Sequence, residues 1–332
     1  MPTRRGTMSN LEAAPAEVAC NASQTAGIEV LHPREVPLGG PRAIPVQRTV
    51  PQRQRSLIGA WCFLDRYGPV TGAAARMDVA PHPHTGLQTV SWLFSGEVEH
   101  RDSAGVHAIV RPGELNLMTA GAGICHSEVS VGSGVLHGAQ LWVALPDSAR
   151  DTGRDFAHHT PAPVSLPGAA VRVFLGELAG SRSPAHTFTP LLGAQIDLDT
   201  NAALDVDIDP TFEHGVLCDV GDIELGGTAL TVGDLGYQGP GIATLHLRNA
   251  GPRPGRLLVL GGKPFTEELV MWWNFVGRSH DEIVTYRRLW LDGDERFGAV
   301  SGYQGRVPRL PAPPLPSTRL LPRPISDRKE TG

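Results

Sequence analysis

Apolar and polar residues alternate along most of the chain in short runs, and the runs are broken by glycine-containing turns. Side chains two apart on an extended backbone share a face, so this period predicts many short β-strands. Turns of the form Gly-acidic-apolar punctuate them, as Gly96-Glu97-Val98-Glu99 and Gly113-Glu114-Leu115 do, and predict hairpin connections. Helical periodicity is scarce. The exception begins at Ser279-His280-Asp281-Glu282, a Ser-x-x-Glu capping box that predicts a helix running through Ile283, Tyr286 and Trp290. Just before it, Met271-Trp272-Trp273-Asn274-Phe275-Val276 is dense in large side chains, which reads as packing that closes a barrel or seals a seam.

The turns repeat. Gly96-Glu97-Val98-Glu99 returns as Gly221-Asp222-Ile223-Glu224, and Gly113-Glu114-Leu115 returns as Gly233-Asp234-Leu235, in the same order and at nearly the same offset. A duplicated β unit follows from that. The fold class is therefore all-β: two tandem jelly-roll β-barrels or sandwiches, with a short C-terminal helix. The expected units are residues 28–160 and 165–295. Residues 1–27 are small and polar and predict disorder, whereas 307–332 form a Pro-rich tail expected to be extended or disordered and solvated.

Composition agrees and removes several function classes. The 332 residues hold 39 glycines and 29 prolines, as many tight turns require, and 41% hydrophobic residues, enough for a large core. A formal charge of −5 gives no general attraction to nucleic acid or anionic lipid. No apolar run is long enough to span a membrane, and none follows Arg4-Arg5 as an export signal would require. Cys20, Cys62, Cys125 and Cys218 are scattered without metal or disulfide spacing, which fits a reduced cytoplasm.

Two pairs carry the candidate chemistry: His82-Pro83-His84 and His126-Ser127-Glu128. Each sits in a strand-like run, so each pair shares a face, and two adjacent strands aim three imidazoles and one carboxylate at one point. Such a donor set suits a divalent transition metal and leaves coordination positions open. Cys125 alternates away from that face. In the second copy the repeat offset puts Asp207 and Asp209 where His82 and His84 stand, and Thr244 and His246 near the later pair, so that copy lacks the donors. The hairpin residues His100, Arg101, Asp102 and Ser103 read as local hydrogen-bonding groups. His107, His137, His158 and His159 have no spacing partner and are assigned no role.

The strings PHPHTG at 81–86, FSGEVEHRDSAG at 94–105, RPGELNLMTAGAGICHSE at 111–128 and GGKPFTEELVMWWNFVGRSHDEI at 261–283 resemble the pirin family of the cupin superfamily. The resemblance runs from about Val30 to Trp290. It implies two stacked cupin barrels, with one Fe(II) in the N-terminal barrel on His82, His84, His126 and Glu128 and a metal-free C-terminal barrel. Many members have glutamate where this chain has Gln88, the position at which ordinary cupins place a carboxylate ligand. The implied activity is that of a quercetin 2,3-dioxygenase, opening a flavonol with O2 and releasing carbon monoxide, with Glu128 as ligand and base. The alternative implied is an iron-dependent redox sensor that acts through a protein partner on transcription or metabolism without touching DNA.

Overall fold

The computed structural model describes residues 27–37 and 44–322. Residues 1–26, where disorder was expected, and 323–332 of the tail lie outside the described residues. Strands dominate, and all named ladders are antiparallel. The first unit pairs a seven-stranded sheet, in the order Asp155–His159, Leu115–Thr119, Leu87–Ser95, Leu136–Ala144, Trp61–Val70, Pro45–Val50, Arg34–Pro37, with a four-stranded sheet, Asp78–His84, Ile124–Val131, Glu97–Asp102, His107–Val110. The second unit repeats both orders. Its seven strands run Glu29–Leu31, Leu235–Gln238, Glu213–Val220, Gly255–Gly262, Leu191–Leu198, Ala169–Leu175, Val164–Leu166, and its four run Ala203–Asp207, Thr244–Asn249, Ile223–Leu225, Thr228–Leu230. The duplication read from the turns is thus present strand for strand. The paired turn glycines Gly96 and Gly221 both hold positive φ, +86° and +97°, a conformation that a Cβ disfavours.

The two seven-stranded sheets face one another across a shared apolar seam. One cluster joins Trp61, Phe63, Trp92 and Leu141 of the first unit to Phe174, Leu217, Leu258 and Leu260 of the second. Several polar groups cross the seam in pairs. The Trp61 indole donates to Leu192 O at 3.1 Å, the Trp92 indole donates to Gln195 Oε1 at 2.9 Å, and Arg66 meets Asp219 at 2.7 Å. At Gly59 the two backbones nearly touch, since a Cβ there would lie 2.6 Å from the Cα of Gly262.

The units also exchange chain ends, which the linear boundaries 28–160 and 165–295 do not capture. Glu29–Leu31 pairs with Leu235–Gln238 of the second unit, filling the edge slot that Asp155–His159 fills in the first. In return, residues 270–312 pack on the first unit. Trp272, Trp273, Phe275, Tyr286, Trp290 and Phe297 share a core with Val46, Met77, Val79 and Leu93. The helix His280–Asp292 starts where the capping box puts it: Glu282 N donates to Ser279 Oγ, and Gly293 at φ +77° ends it. The return bond of the box is displaced by one residue, because Glu282 Oε2 accepts from Arg278 N at 2.8 Å.

The solvated tail requires correction. Residues 307–322 have no regular secondary structure, yet Leu310 and Ala312 are buried. Leu310 N donates to Pro81 O at 2.8 Å, the Trp290 indole donates to Leu310 O at 2.8 Å, and the Arg309 guanidinium lies 3.4 Å over the Trp290 ring. A proline-rich segment cannot form a ladder of its own, but its carbonyls and few apolar side chains can still be captured.

Candidate metal centre

The four-stranded sheet of the first unit builds the site. In its registers His126 stands opposite His82 on one side and Asp102 on the other, and Glu128 stands opposite His100. Directly opposed residues share a face, so these side chains point into the barrel together. The Asp78–His84 strand carries a bulge: the register jumps from His126↔His82 to Glu128↔Val79. Pro81 and Pro83 lack an N–H, and the strand lies at the sheet edge, where proline is tolerated.

The donor atoms of His82, His84 and His126 all lie within 4.8 Å of one another, and so do those of His100, His126 and Glu128. His126 belongs to both groups. The first group holds three of the four residues singled out by spacing, and Glu128 falls in the second, beside His100, which spacing did not select. All five are buried. Cys125 is buried in the cluster behind the sheet, as alternation requires.

Ring orientation is set by backbone carbonyls. His82 Nδ1 lies 2.9 Å from Ala80 O and His84 Nδ1 lies 3.2 Å from Asn274 O. A carbonyl only accepts, so each Nδ1 carries the proton and each Nε2 keeps a lone pair for a cation. Asn274 was not legible as a site residue, because it acts through its main chain. His84 Nε2 and His126 Nε2 stand 3.0 Å apart. Burial pushes His82 down to about 4 and holds His84 and His126 well below the usual imidazole range. They are neutral, as ligands must be. Burial has the opposite effect on Glu128, raising it above the ordinary carboxylate range against the pull of His100 and Ser91.

Ser91 Oγ lies 3.0 Å from Glu128 Oε1 and 2.9 Å from Gln140 Oε1. One hydroxyl proton cannot serve two acceptors, so either Glu128 is protonated or the Gln140 amide is turned with its nitrogen toward Ser91. Buried neutral imidazoles beside a carboxyl that resists ionisation form a donor set that a divalent cation fits, because its charge stabilises the carboxylate. Aromatic rings flank the donors. Trp142 meets His84 edge-on at 5.1 Å, Phe63 stacks on Trp142 at 4.0 Å, and Phe156 lies 4.8 Å from His100.

Gln88 is not among them. Its side chain donates to Thr119 Oγ1 at 3.0 Å and to the main-chain oxygen of His186, in the second unit, at 3.3 Å. On the same strand Trp92 also reaches into the seam, whereas Ser91 reaches Glu128, so Gln88 sits on the seam face. In the second barrel the strand positions that point inward are Leu204, Val206, Leu245 and Leu247, while Asp205 pairs with His246 on the exposed face at 2.8 Å. Of the other histidines, His137 bonds Asp219 in the seam at 2.8 Å, His107 bonds Glu99, and His158 bonds Asn116.

The family profile described as Pirin matches residues 43–143, and that of the Pirin C-terminal cupin domain matches residues 193–298. A Pseudomonas aeruginosa protein named "Putative quercetin 2,3-dioxygenase PA1205" is 45% identical over 85% of this chain and 89% of its own length.

The chain belongs to the pirin family.

Among solved structures, quercetin 2,3-dioxygenase from Acinetobacter baumannii superposes with a TM-score of 0.83 at 36% identity, covering 91% of this chain and 98% of that one. A bacterial pirin from Escherichia coli, solved in complex with nickel(II), shares the fold at a TM-score of 0.55 and 15% identity, over 72% of this chain and 100% of that one. The pirin described here is a bicupin whose His and Glu cluster lies in the first barrel. Among its described residues no helix is long and apolar enough to cross a membrane.

Proposed function

We propose that this pirin is a metal-dependent dioxygenase of the quercetin 2,3-dioxygenase type, with Fe(II) held by His82, His84, His126 and Glu128. The observation that carries the reading is the convergence, inside the first barrel, of neutral buried imidazoles and one carboxyl of raised pKa. Bound iron would supply Lewis acidity and a path for electrons between an electron-rich flavonol and O2. Both oxygen atoms end in the ring-opened ester, and the excised ring carbon leaves as carbon monoxide.

The chain's own groups account for substrate handling. Glu128 is the one carboxylate in the donor cluster, and it would take the flavonol 3-hydroxyl proton. Ser91 steadies its Oε1. Trp142, backed by Phe63, offers an aromatic wall beside His84, suited to a planar polyphenol. The Tyr67 phenol, pushed up by burial and by Glu128, stays neutral.

Iron-loaded protein is expected to consume quercetin in air, and Glu128→Gln to slow kcat by on the order of a hundredfold while three imidazoles still retain metal. An unchanged kcat in the metal-bound variant would remove Glu128 from the chemistry.

A further inference from the structure

We infer that Asn116, held in place by His158, is a specificity-determining residue of the first barrel that donates a hydrogen bond to a ring hydroxyl of a polyhydroxylated flavonol, away from the reacting 3-hydroxyl. The inference rests on the substrate class proposed above, though not on the oxygen chemistry. It starts from a polar line across the seven-stranded sheet. The ladder registers set Arg48 opposite Asp65, Asp65 opposite Gln140, Gln140 opposite Ser91, Ser91 opposite Asn116, and Asn116 opposite His158. Directly opposed residues share a face, and Ser91 reaches Glu128 from that face, so the line looks into the barrel. Phe156, on the same strand as His158 and two residues before it, agrees by packing against His100.

The line is buried from Arg48 to Asn116, and the His158 side chain, on the edge strand, is half exposed. Most of its polar atoms are answered. Arg48 donates twice to Asp65 at 2.7 Å, Ser91 meets Gln140 at 2.9 Å and Glu128 at 3.0 Å, and His158 Nδ1 donates to Asn116 Oδ1 at 3.1 Å. Glu114 Oε2 stands 3.9 Å from His158 Nε2, so the imidazole sits between two acceptors. Sequence spacing gives His158 no partner; the ladder does. With its oxygen engaged toward the sheet edge, Asn116 turns its amide nitrogen the other way. That Nδ2 is buried and has no partner among the described residues. A buried donor without an acceptor is unfavourable, and it marks a place where a bound molecule or a water supplies one.

Position decides between the two. Asn116 lies one strand, about 5 Å, from Ser91, and Ser91 bonds Glu128. A planar ligand whose 3-hydroxyl meets Glu128 carries its other oxygens past this line, and a hydroxyl oxygen among them accepts from Nδ2. Asn116 thereby selects for flavonols hydroxylated beyond the reacting position, and His158 acts through it as a positioning residue.

The test is anaerobic titration of the iron-loaded full chain with two probes: quercetin, and 3-hydroxyflavone, which lacks the additional ring hydroxyls. Asn116→Leu is expected to raise the quercetin Kd about tenfold and to shift that of 3-hydroxyflavone less than about twofold. Comparing two ligands in each protein cancels general damage to the barrel. The edge variants keep the test open if Asn116→Leu does not fold: His158→Leu should weaken quercetin several-fold in the same selective way, and His158→Gln, which retains an N–H for Asn116 Oδ1, should restore it. Equal effects of Asn116→Leu on both probes, no effect on either, or His158→Leu indistinguishable from His158→Gln would overturn the inference and leave Nδ2 to a water. A wild type that binds neither probe would overturn the substrate class with it, whereas selective binding without turnover in air would uphold Asn116 and reject only the dioxygenase activity.

Discussion

At Gln88 the structure separates two residues that a sequence motif puts together. Its side chain faces the seam between the barrels, held by Thr119 Oγ1 and the His186 carbonyl, so a carboxylate there cannot reach the metal donors without reversing the strand. Gln88→Glu is therefore expected to leave metal content and affinity unchanged, by elemental analysis and titration. A new ligand signature or altered metal affinity would show that the side chain turns inward. His214, in the second barrel, gives a pH dependence independent of the metal. Burial pushes it down to about 4 from 6.5. An unfolded histidine takes up a proton near 6.5, whereas the native one does not until about 4, so its contribution to stability is full above 6.5 and is lost as pH falls through that window. Urea unfolding at stepped pH should show wild type losing up to about 1.4 kcal/mol per pH unit more than His214→Asn between those limits. Parallel profiles would contradict the burial argument.

Among the elements, the strand Asp78–His84 and the tail form one working unit. Leu310 N caps Pro81 O beside the bulge, Tyr303 OH donates to Asp78 Oδ1 at 2.6 Å, and Arg287 Nε donates to Pro313 O at 2.6 Å. The tail thereby covers an edge that would otherwise expose unpaired backbone. Ending the chain after residue 306 is expected to cost about 2 kcal/mol from the buried Leu310 side chain alone, seen as a lower melting temperature; an unchanged melting temperature would mean that the tail is solvated. Elements with a local signal were legible in sequence. The His82/His84 and His126/Glu128 pairs needed only the two-residue period, the helix needed only Ser279 and Glu282, and the duplication needed only its turn glycines. Glu29–Leu31 was not, because its partner lies about two hundred residues away, beyond any local pattern. His100 was hidden for the same reason: its place beside Glu128 depends on the register between two strands.

For the whole molecule, duplication followed by divergence explains why one barrel carries the cluster of His and Glu donors. Both barrels keep the same strand orders, but the inward positions that hold His82, His126 and Glu128 in the first are matched by an apolar interior in the second, built from Leu204, Val206, Leu245 and Leu247. The second barrel supports the first instead. It backs the seven-stranded sheet through the seam, where Asp219, kept below the usual carboxylate range by His137 and Arg66, ties the units together. It then sends its C-terminal segment over to supply the Asn274 carbonyl that orients His84. On the proposed function, the first barrel carries the reaction and the second is its scaffold. The most direct test of that function is the gas released when iron-loaded protein is mixed with quercetin and O2 in a sealed vessel. The prediction is one carbon monoxide for each quercetin and each O2 consumed; quercetin that is bound but left intact, or that disappears with hydrogen peroxide and without carbon monoxide, would contradict it.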